Sequence, residues 1–214
     1  MLVRTWNLFH GNASPPERRA FLRQMIELVT RDRPDVVCLQ ELPVWALEHL
    51  EDWSGMHATT AVARRPLLPV GARAVTALNH GLLRSAVTGE GDAILTTRPA
   101  HDLGATVVGQ AKLRRIAHAV DLDGLQVVNF HIDGDRTQLD RVLGLAGERS
   151  VVAGDANLVS PAADGFSAPL AGSIDQIFVR GLALVDGPSA WPLERRTLDG
   201  RVLSDHAPVE AVVE

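Results

Sequence analysis

The sequence predicts a mixed-sheet domain of α/β or α+β class, and three observations carry this expectation. Apolar strands are interleaved with amphipathic helices along the chain. At least one strand pair is antiparallel, because residues 114–121 and 125–131 flank Asp123-Gly124, a favoured hairpin turn. The length of 214 residues suits a single domain over residues 1–214, large enough to bury a core without staples.

The elements follow in order. Residues 2–8 read as a first strand. Ser14-Pro15-Pro16-Glu17 fits a capping box with proline at a helix start. Phe21, Leu22, Met25, Ile26 and Val29 then recur at helical spacing until Pro34. Residues 35–40 are apolar between Asp35 and Gln40 and read as a central strand. Pro43 opens a second helix to about residue 53. Short strands are expected at 58–63, 73–78, 92–97 and 104–108, broken by Pro66, Pro69, Gly71, Gly89, Gly91 and Pro99. After the hairpin, Leu139, Val142, Leu143 and Ala146 mark another helix. A buried strand covers 150–153 and ends at Gly154, strands at 174–179 and 182–185 surround Arg180-Gly181, and 208–213 closes the chain.

Composition narrows the function. With 21 basic and 26 acidic residues the net charge is −5, which argues against a binder that holds polyanions by bulk charge. Lys112 is the single lysine, and there is no tyrosine. Cys38 is the single cysteine and lies in an apolar run, so neither an internal disulfide nor a cysteine zinc site is expected. No stretch approaches the roughly 18 apolar residues of a membrane span. With no signal-peptide pattern at the N-terminus, a reducing, cytoplasmic setting is the expectation.

Polar residues stand at the ends of several apolar strands, where a rigid scaffold displays functional groups. Asn7 and Glu41 offer hard oxygen donors suited to Mg²⁺ or Mn²⁺. In Asn129-Phe130-His131 the outer two side chains share one strand face. Asp155 and Asn157, after Gly154, share a face if the backbone stays extended. Asp175 begins a strand, and Asp205-His206 closes the series. Adjacent residues project differently, so Asp205 can face a metal while His206 faces a water. A histidine base needs its second nitrogen held by an acceptor, for which Asp175 is the natural candidate.

The order Asn, Glu, Asn-x-His, Gly-Asp-x-Asn, Asp, Ser-Asp-His-x-Pro resembles the endonuclease/exonuclease/phosphatase superfamily of DNase I-like and exonuclease III-like phosphoesterases. The resemblance runs from about Val3 to Val209, and Gly91-Asp92-Ala93-Ile94-Leu95 is similar to a central strand of that family. It implies a four-layer sandwich of two packed mixed sheets flanked by helices, with the site at one end. It implies Glu41 as the principal Mg²⁺ (or Mn²⁺) ligand, with Asn7 and Asp205 nearby. His206 would be the general base oriented by Asp175, Asp155 and Asn157 would position water and phosphoryl group, and His131 would donate to a phosphate oxygen with Asn129 in support.

The missing tyrosine leaves no mid-chain phenol for the phosphate, and His80 and Arg84 are the candidate substitutes. Arg18-Arg19, Arg64-Arg65, Arg114-Arg115 and Arg195-Arg196 are the basic clusters, and Trp191 precedes the last as a candidate base-stacking residue. A phosphodiester-hydrolysing nuclease is the expected function, with nucleic acid as partner and no obligate protein partner. A small-molecule or lipid phosphoesterase and a catalytically silent binding module are the alternatives.

Overall fold

The computed structural model describes residues 1–67, 71, 74, 76, 86–110 and 113–214. Among them the strands are β1 (Leu2–Asn7), β2 (Ala13–Ser14), β3 (Val36–Leu42), β4 (His57–Arg64), β5 (Glu90–Thr96), β6 (His101–Gly109) and β7 (Arg115–Leu122). They continue as β8 (Leu125–His131), β9 (Ser150–Asp155), β10 (Asp175–Arg180), β11 (Leu184–Ala190), β12 (Thr197–Leu198), β13 (Arg201–Leu203) and β14 (Val209–Val213). Helices bounded within the described residues include α1 (Leu22–Thr30), α2 (Leu50–Ser54) and α3 (Arg136–Leu143).

Two mixed sheets pack face to face. One has six strands in the order β11-β14-β1-β3-β5-β4, the other five in the order β10-β9-β8-β7-β6. Each holds one parallel pair, β1 with β3 and β8 with β9, among antiparallel neighbours. A small three-stranded sheet, β12-β13-β2, sits beside them.

Strand alternation assigns the layers. Val3, Val36, Cys38 and Ile94 on the six-stranded sheet meet Val120, Val127, Val151, Ala153 and Ile177 on the other, and this forms the middle layer. The opposite faces, Trp6, Val37, Leu39 and Leu95, pack against Phe21, Met25, Ile26 and Leu50 on and around α1 and α2. On the far side Val128, Phe130, Val152 and Phe178 pack under Leu139 and Val142 of α3. Each such side chain contributes about 1.5–3 kcal/mol on burial. The result is the four-layer sandwich, helix, sheet, sheet, helix.

Two glycine positions are required by this packing. Asp123 and Gly124 both have positive φ, 56° and 81°, as a tight hairpin between β7 and β8 needs. A Cβ at Gly154 would lie 1.9 Å from the Phe130 carbonyl oxygen, so β9 can approach β8 there only as glycine.

Three expectations are corrected. Ser14 does not cap α1, which starts at Leu22; Ser14 pairs with Val202 across β2–β13, and Glu17 is drawn to Arg201 at 2.7 Å. The second helix is a 3₁₀ turn over Val44–His49 followed by the short α2. Within 73–78, the described residues Ala74 and Thr76 are helical rather than extended. The hairpin, the central β3 and the closing β14 stand as read. His80 and Arg84 lie outside the described residues.

Candidate active site

The middle layer is apolar along most of its length and turns polar at one end. The same alternation that points Val3, Cys38, Val127, Val151 and Ile177 inward points Asn7, Gln40, Asn129, His131, Asp155 and Asp175 inward further along the strands. Register then brings them together: His131 pairs with Asp155 across β8–β9, and Asp155 with Asp175 across β9–β10.

Asn129 closes the floor. Its Nδ2 donates to the carbonyls of Leu39 and Ala93 at 2.9 Å each, and its Oδ1 accepts from Gln40 Nε2 at 2.7 Å. It is fully buried and ties one sheet to the other. Asn129 is therefore a buried support beneath the site.

Glu41 sits at an irregularity in the β3–β5 pairing between Leu39 and Leu42, with φ at +54°. A non-glycine residue at positive φ is strained, and bulges commonly re-aim side chains at sites. Asn7 Nδ2 donates to Glu41 Oε1 at 3.2 Å and to Asp155 Oδ2 at 3.0 Å, while its Oδ1 accepts from Phe9 N–H at 2.9 Å. Asn7 thus turns its nitrogen to the carboxylates and its oxygen away from them.

His206 follows Ser204, another residue at positive φ, +60°. Ser204 Oγ donates to the Asn7 carbonyl at 2.7 Å, and Trp6 Nε1 donates to the His206 carbonyl at 3.0 Å. Arg196 Nη1 donates to the carbonyls of Leu203, Ser204 and His206. The loop is thereby held from both sides. The ring lies with Nδ1 at 2.9 and 3.1 Å from the two Asp175 oxygens. Nε2 faces Asp155 Oδ2 at 3.8 Å and Asp205 Oδ1 at 3.9 Å. Burial alone would lower the His206 pKa, but the hydrogen bond and charge of Asp175, with Asp155 and Asp205 behind it, raise it to about 9.

His131 is buried with Nε2 at 3.6 Å from Asp155 Oδ2 and 3.7 Å from Glu41 Oε1. Its Nδ1 and Arg115 Nη1 converge on Glu90 Oε1, at 3.3 and 2.9 Å, which brings the two nitrogens within 3.0 Å. Burial opposes charge here too, yet Glu90, Asp155 and Glu41 together raise His131 to about 9. Glu90 is pushed up by burial but held down to about 2 by His131 and Arg115. Asn157 departs from the expected extended strand: it has φ +49° and is exposed, its N–H bonds Asp155 Oδ1 and its Nδ2 bonds the Ile132 carbonyl. It braces Asp155 rather than sharing its face.

A sequence profile of the Endonuclease/Exonuclease/phosphatase family matches residues 5–206. The chain belongs to that family. Solved structures agree on the fold: a functionally unknown conserved protein from Enterococcus faecalis V583 has TM-score 0.72 at 17% identity, with 100% of this chain and 99% of that one covered. An endonuclease/exonuclease/phosphatase from Beutenbergia cavernae has TM-score 0.69 at 20% identity, over 100% of this chain and 71% of that one. D. rerio TDP2 complexed with single strand DNA product has TM-score 0.60 at 17% identity, over 100% and 98%. No curated protein sequence matches the chain.

This family member adds site residues that the sequence reading passed over. Glu90 and Asp92 point inward on β5, His10 Nε2 lies 3.6 Å from Glu41 Oε2, and Arg115 anchors Glu90 and Asp133 at 2.9 and 2.7 Å. The signal was there for β5: Glu90-x-Asp92 repeats the alternation used for Asn129-x-His131. Asp92 is buried with Oδ1 unpartnered, and burial pushes its carboxyl up to about 7. No local pattern marks His10, which reaches the site through a turn at positive φ.

Trp191 is placed elsewhere. It is 5% exposed, its Nε1 donates to Glu210 at 2.8 Å, and the Arg195 and Arg4 guanidiniums lie over its ring at 3.7 and 4.9 Å. Its ring is occupied by this chain's own arginines, so it does not offer a platform for a base.

The donor chemistry of the site fits a divalent cation. Glu41, Asp155, Asp175 and Asp205 supply hard carboxylate oxygens linked through Asn7 and His206. Burial raises the Asp205 carboxyl, and Glu41 adds to it, the sign of negative charge in want of a counterion. The donor atoms of Asp155, Asp175 and His206 lie within 4.8 Å of one another.

Proposed function

We propose that the chain is a divalent-cation-dependent phosphodiesterase, a nuclease acting on a nucleic-acid strand. The observation that carries this reading is the Asp175–His206 pair: Nδ1 is held by a carboxylate at 2.9 Å, and among the described residues Nε2 makes no hydrogen bond and faces the remaining carboxylates. That is the arrangement of a base with its tautomer fixed by a partner.

Glu41 and Asp205 would hold the cation, with Asn7 keeping Glu41 and Asp155 in place. When bound, the cation would balance charge on the phosphoryl oxygens as a Lewis acid. Left neutral once a bound cation offsets the carboxylates that raise its pKa, His206 Nε2 would take the proton from the attacking water, and Asp175 would stabilise the resulting imidazolium. Asp155, fixed by the Asn157 N–H and Asn7, orients that water. His131, charged through Glu90, donates from Nε2 toward a phosphate oxygen. Catalysis on phosphate rests mainly on such positioning and charge neutralisation. Family membership supports a phosphoester hydrolase, and the likeness to a TDP2 solved with single-stranded DNA product favours nucleic acid over lipid or small phosphoesters.

A second reading rests on the Asp155, Asp175 and His206 cluster, whose donor atoms lie within 4.8 Å of one another. A cation there would take His206 out of the role of base. One assay separates the readings: hydrolysis of a labelled single-stranded oligonucleotide and of bis(4-nitrophenyl) phosphate, with Mg²⁺ or Mn²⁺ and with chelator. The first reading expects Asp175→Asn to lose rate while still binding the cation. Equal turnover with chelator, or loss of cation binding in that variant, contradicts it.

A further inference from the structure

We infer that Arg64, Arg65 and Arg114 form an anion subsite that holds a backbone phosphate neighbouring the scissile one. The inference rests on the reading of the adjoining site as a phosphodiester site.

Several of the chain's arginines are paired with acids. Arg4 and Arg195 share Asp32 and Glu210, Arg23 pairs with Glu27, Arg98 with Asp123, Arg136 with Asp140 and Arg201 with Glu17. The hollow near Trp191 is balanced, since Glu27, Asp32 and Glu194 line it beside Arg31 and Arg195. Another arginine cluster lies at the edge strand β4. Val62, Ala63, Arg64, Arg65 and Arg114 line an open hollow of about 450 Å³, and among the described residues no carboxylate lines it. Arg65 and Arg114 have no acid within ion-pair reach among the described residues, and both are exposed. Arg114 Nη1 is fixed on the carbonyls of Val62 and Ala63 at 3.0 and 2.8 Å, so its guanidinium is preorganised at the rim.

Arg64 is the deciding residue. Its Nε and Nη2 are buried without a hydrogen-bond acceptor. The nearest acid, Glu90 Oε2, is 3.6 Å from Nη2, and Glu90 is already committed to Arg115 and His131. Those two nitrogens are enclosed, so it is the exposed remainder of the Arg64 side chain, which lines the hollow, that can meet an anionic oxygen from outside. The position is contiguous with the chemistry: Arg64 meets Glu90, Glu90 meets His131, and His131 faces Asp155 and Glu41. A strand whose scissile phosphate lies at His131 brings its next phosphate toward this hollow. In a protein of net charge −5 this is how a polyanion can be gripped without bulk charge.

The test compares wild type with Arg65→Gln and Arg114→Gln on two substrates. Bis(4-nitrophenyl) phosphate carries one phosphate, and a single-stranded oligonucleotide carries many. The expected result is a KM for the oligonucleotide raised about tenfold in each variant, with kcat/KM for the small diester unchanged. The salt dependence of oligonucleotide binding should also become shallower by about 0.7 in log–log slope per lost contact. Arg65→Gln keeps the test valid if Arg114→Gln loosens β4, whose Val62 and Ala63 carbonyls the Arg114 guanidinium holds. Parallel loss on both substrates, or no change on the oligonucleotide, overturns the inference. If wild type hydrolyses neither substrate, the catalytic reading fails on its own. Binding of the oligonucleotide by fluorescence anisotropy in chelator then decides the subsite: weakening in both variants supports it, and equal or absent binding overturns it.

Discussion

The layer between the two sheets has two ends built by one rule and filled with opposite chemistry. Along most of it, Val3, Val36, Cys38, Val127, Val151 and Ile177 exclude water and hold the sheets together. At the site end, Asn7, Gln40, Asp92, Asn129, His131, Asp155 and Asp175 occupy equally inward positions on the same strands and are equally buried. The apolar end stabilises the fold. The polar end crowds carboxylates against one another, carries strain at Glu41 and Ser204, and leaves Asp92 Oδ1 unpartnered. Groups kept where they cost stability are the mark of a site held for its chemistry.

The comparison can be broken most sharply at His206. His206→Ala should lower the hydrolytic rate by about 10²–10⁴-fold while leaving the thermal midpoint within a few degrees. Steady-state kinetics on an oligonucleotide, with calorimetry alongside, reads both. Glu41→Gln comes next, with an expected loss of about 10²–10³-fold at saturating Mg²⁺. A Glu41→Gln enzyme at full activity would remove the cation from the account.

The apolar end should answer in the opposite way. Ile177→Ala removes a fully buried side chain one turn of the alternation from Asp175. It should destabilise by about 2–4 kcal/mol in urea unfolding, with kcat/KM in Mg²⁺ little changed where the protein is folded. A large kinetic defect at unchanged stability would show that the two ends are not separable.

The smallest effect is a pH dependence of stability, measured in chelator. The folded pKa of His131 lies near 9, above its ordinary 6.5. Its contribution is complete below about pH 6.5 and is lost as pH rises through 9. Glu90 runs the other way: with a folded pKa of about 2 against an ordinary 4.5, its contribution is present above 4.5 and lost as pH falls toward 2. His206, also near 9, acts on the same limb as His131, so the thermal midpoint should drop by on the order of 5 °C between pH 6.5 and 9.5, and His131→Gln should make that limb shallower without removing it.

Much of this was legible in the sequence, because period-two alternation is a strong signal and the site uses it. Asn129-x-His131, the Gly154-Asp155 strand end and Asp205-His206 could be read directly, and the structure brings His131, Asp155, Asp175 and His206 together. What was missed depends on pairings far apart in sequence. Ser14 reads as a helix cap until β13 claims its backbone. Trp191 with its arginines reads as a base platform until Glu210 and Asp32, distant in the chain, turn those arginines inward. Asn157 leaves the strand because its side chain finds the Ile132 carbonyl. His10 enters the site only because Glu41 is re-aimed at an irregularity that no local sequence pattern announces.

The most direct test is the thermal midpoint of wild type and Glu41→Gln with millimolar Mg²⁺ or Mn²⁺ and with chelator. A carboxylate-rich pocket that awaits a cation gains stability when the cation binds the folded state alone. The account predicts that the cation raises the midpoint of wild type by several degrees and leaves Glu41→Gln where it was. No shift in wild type, or the same shift in both proteins, would contradict it.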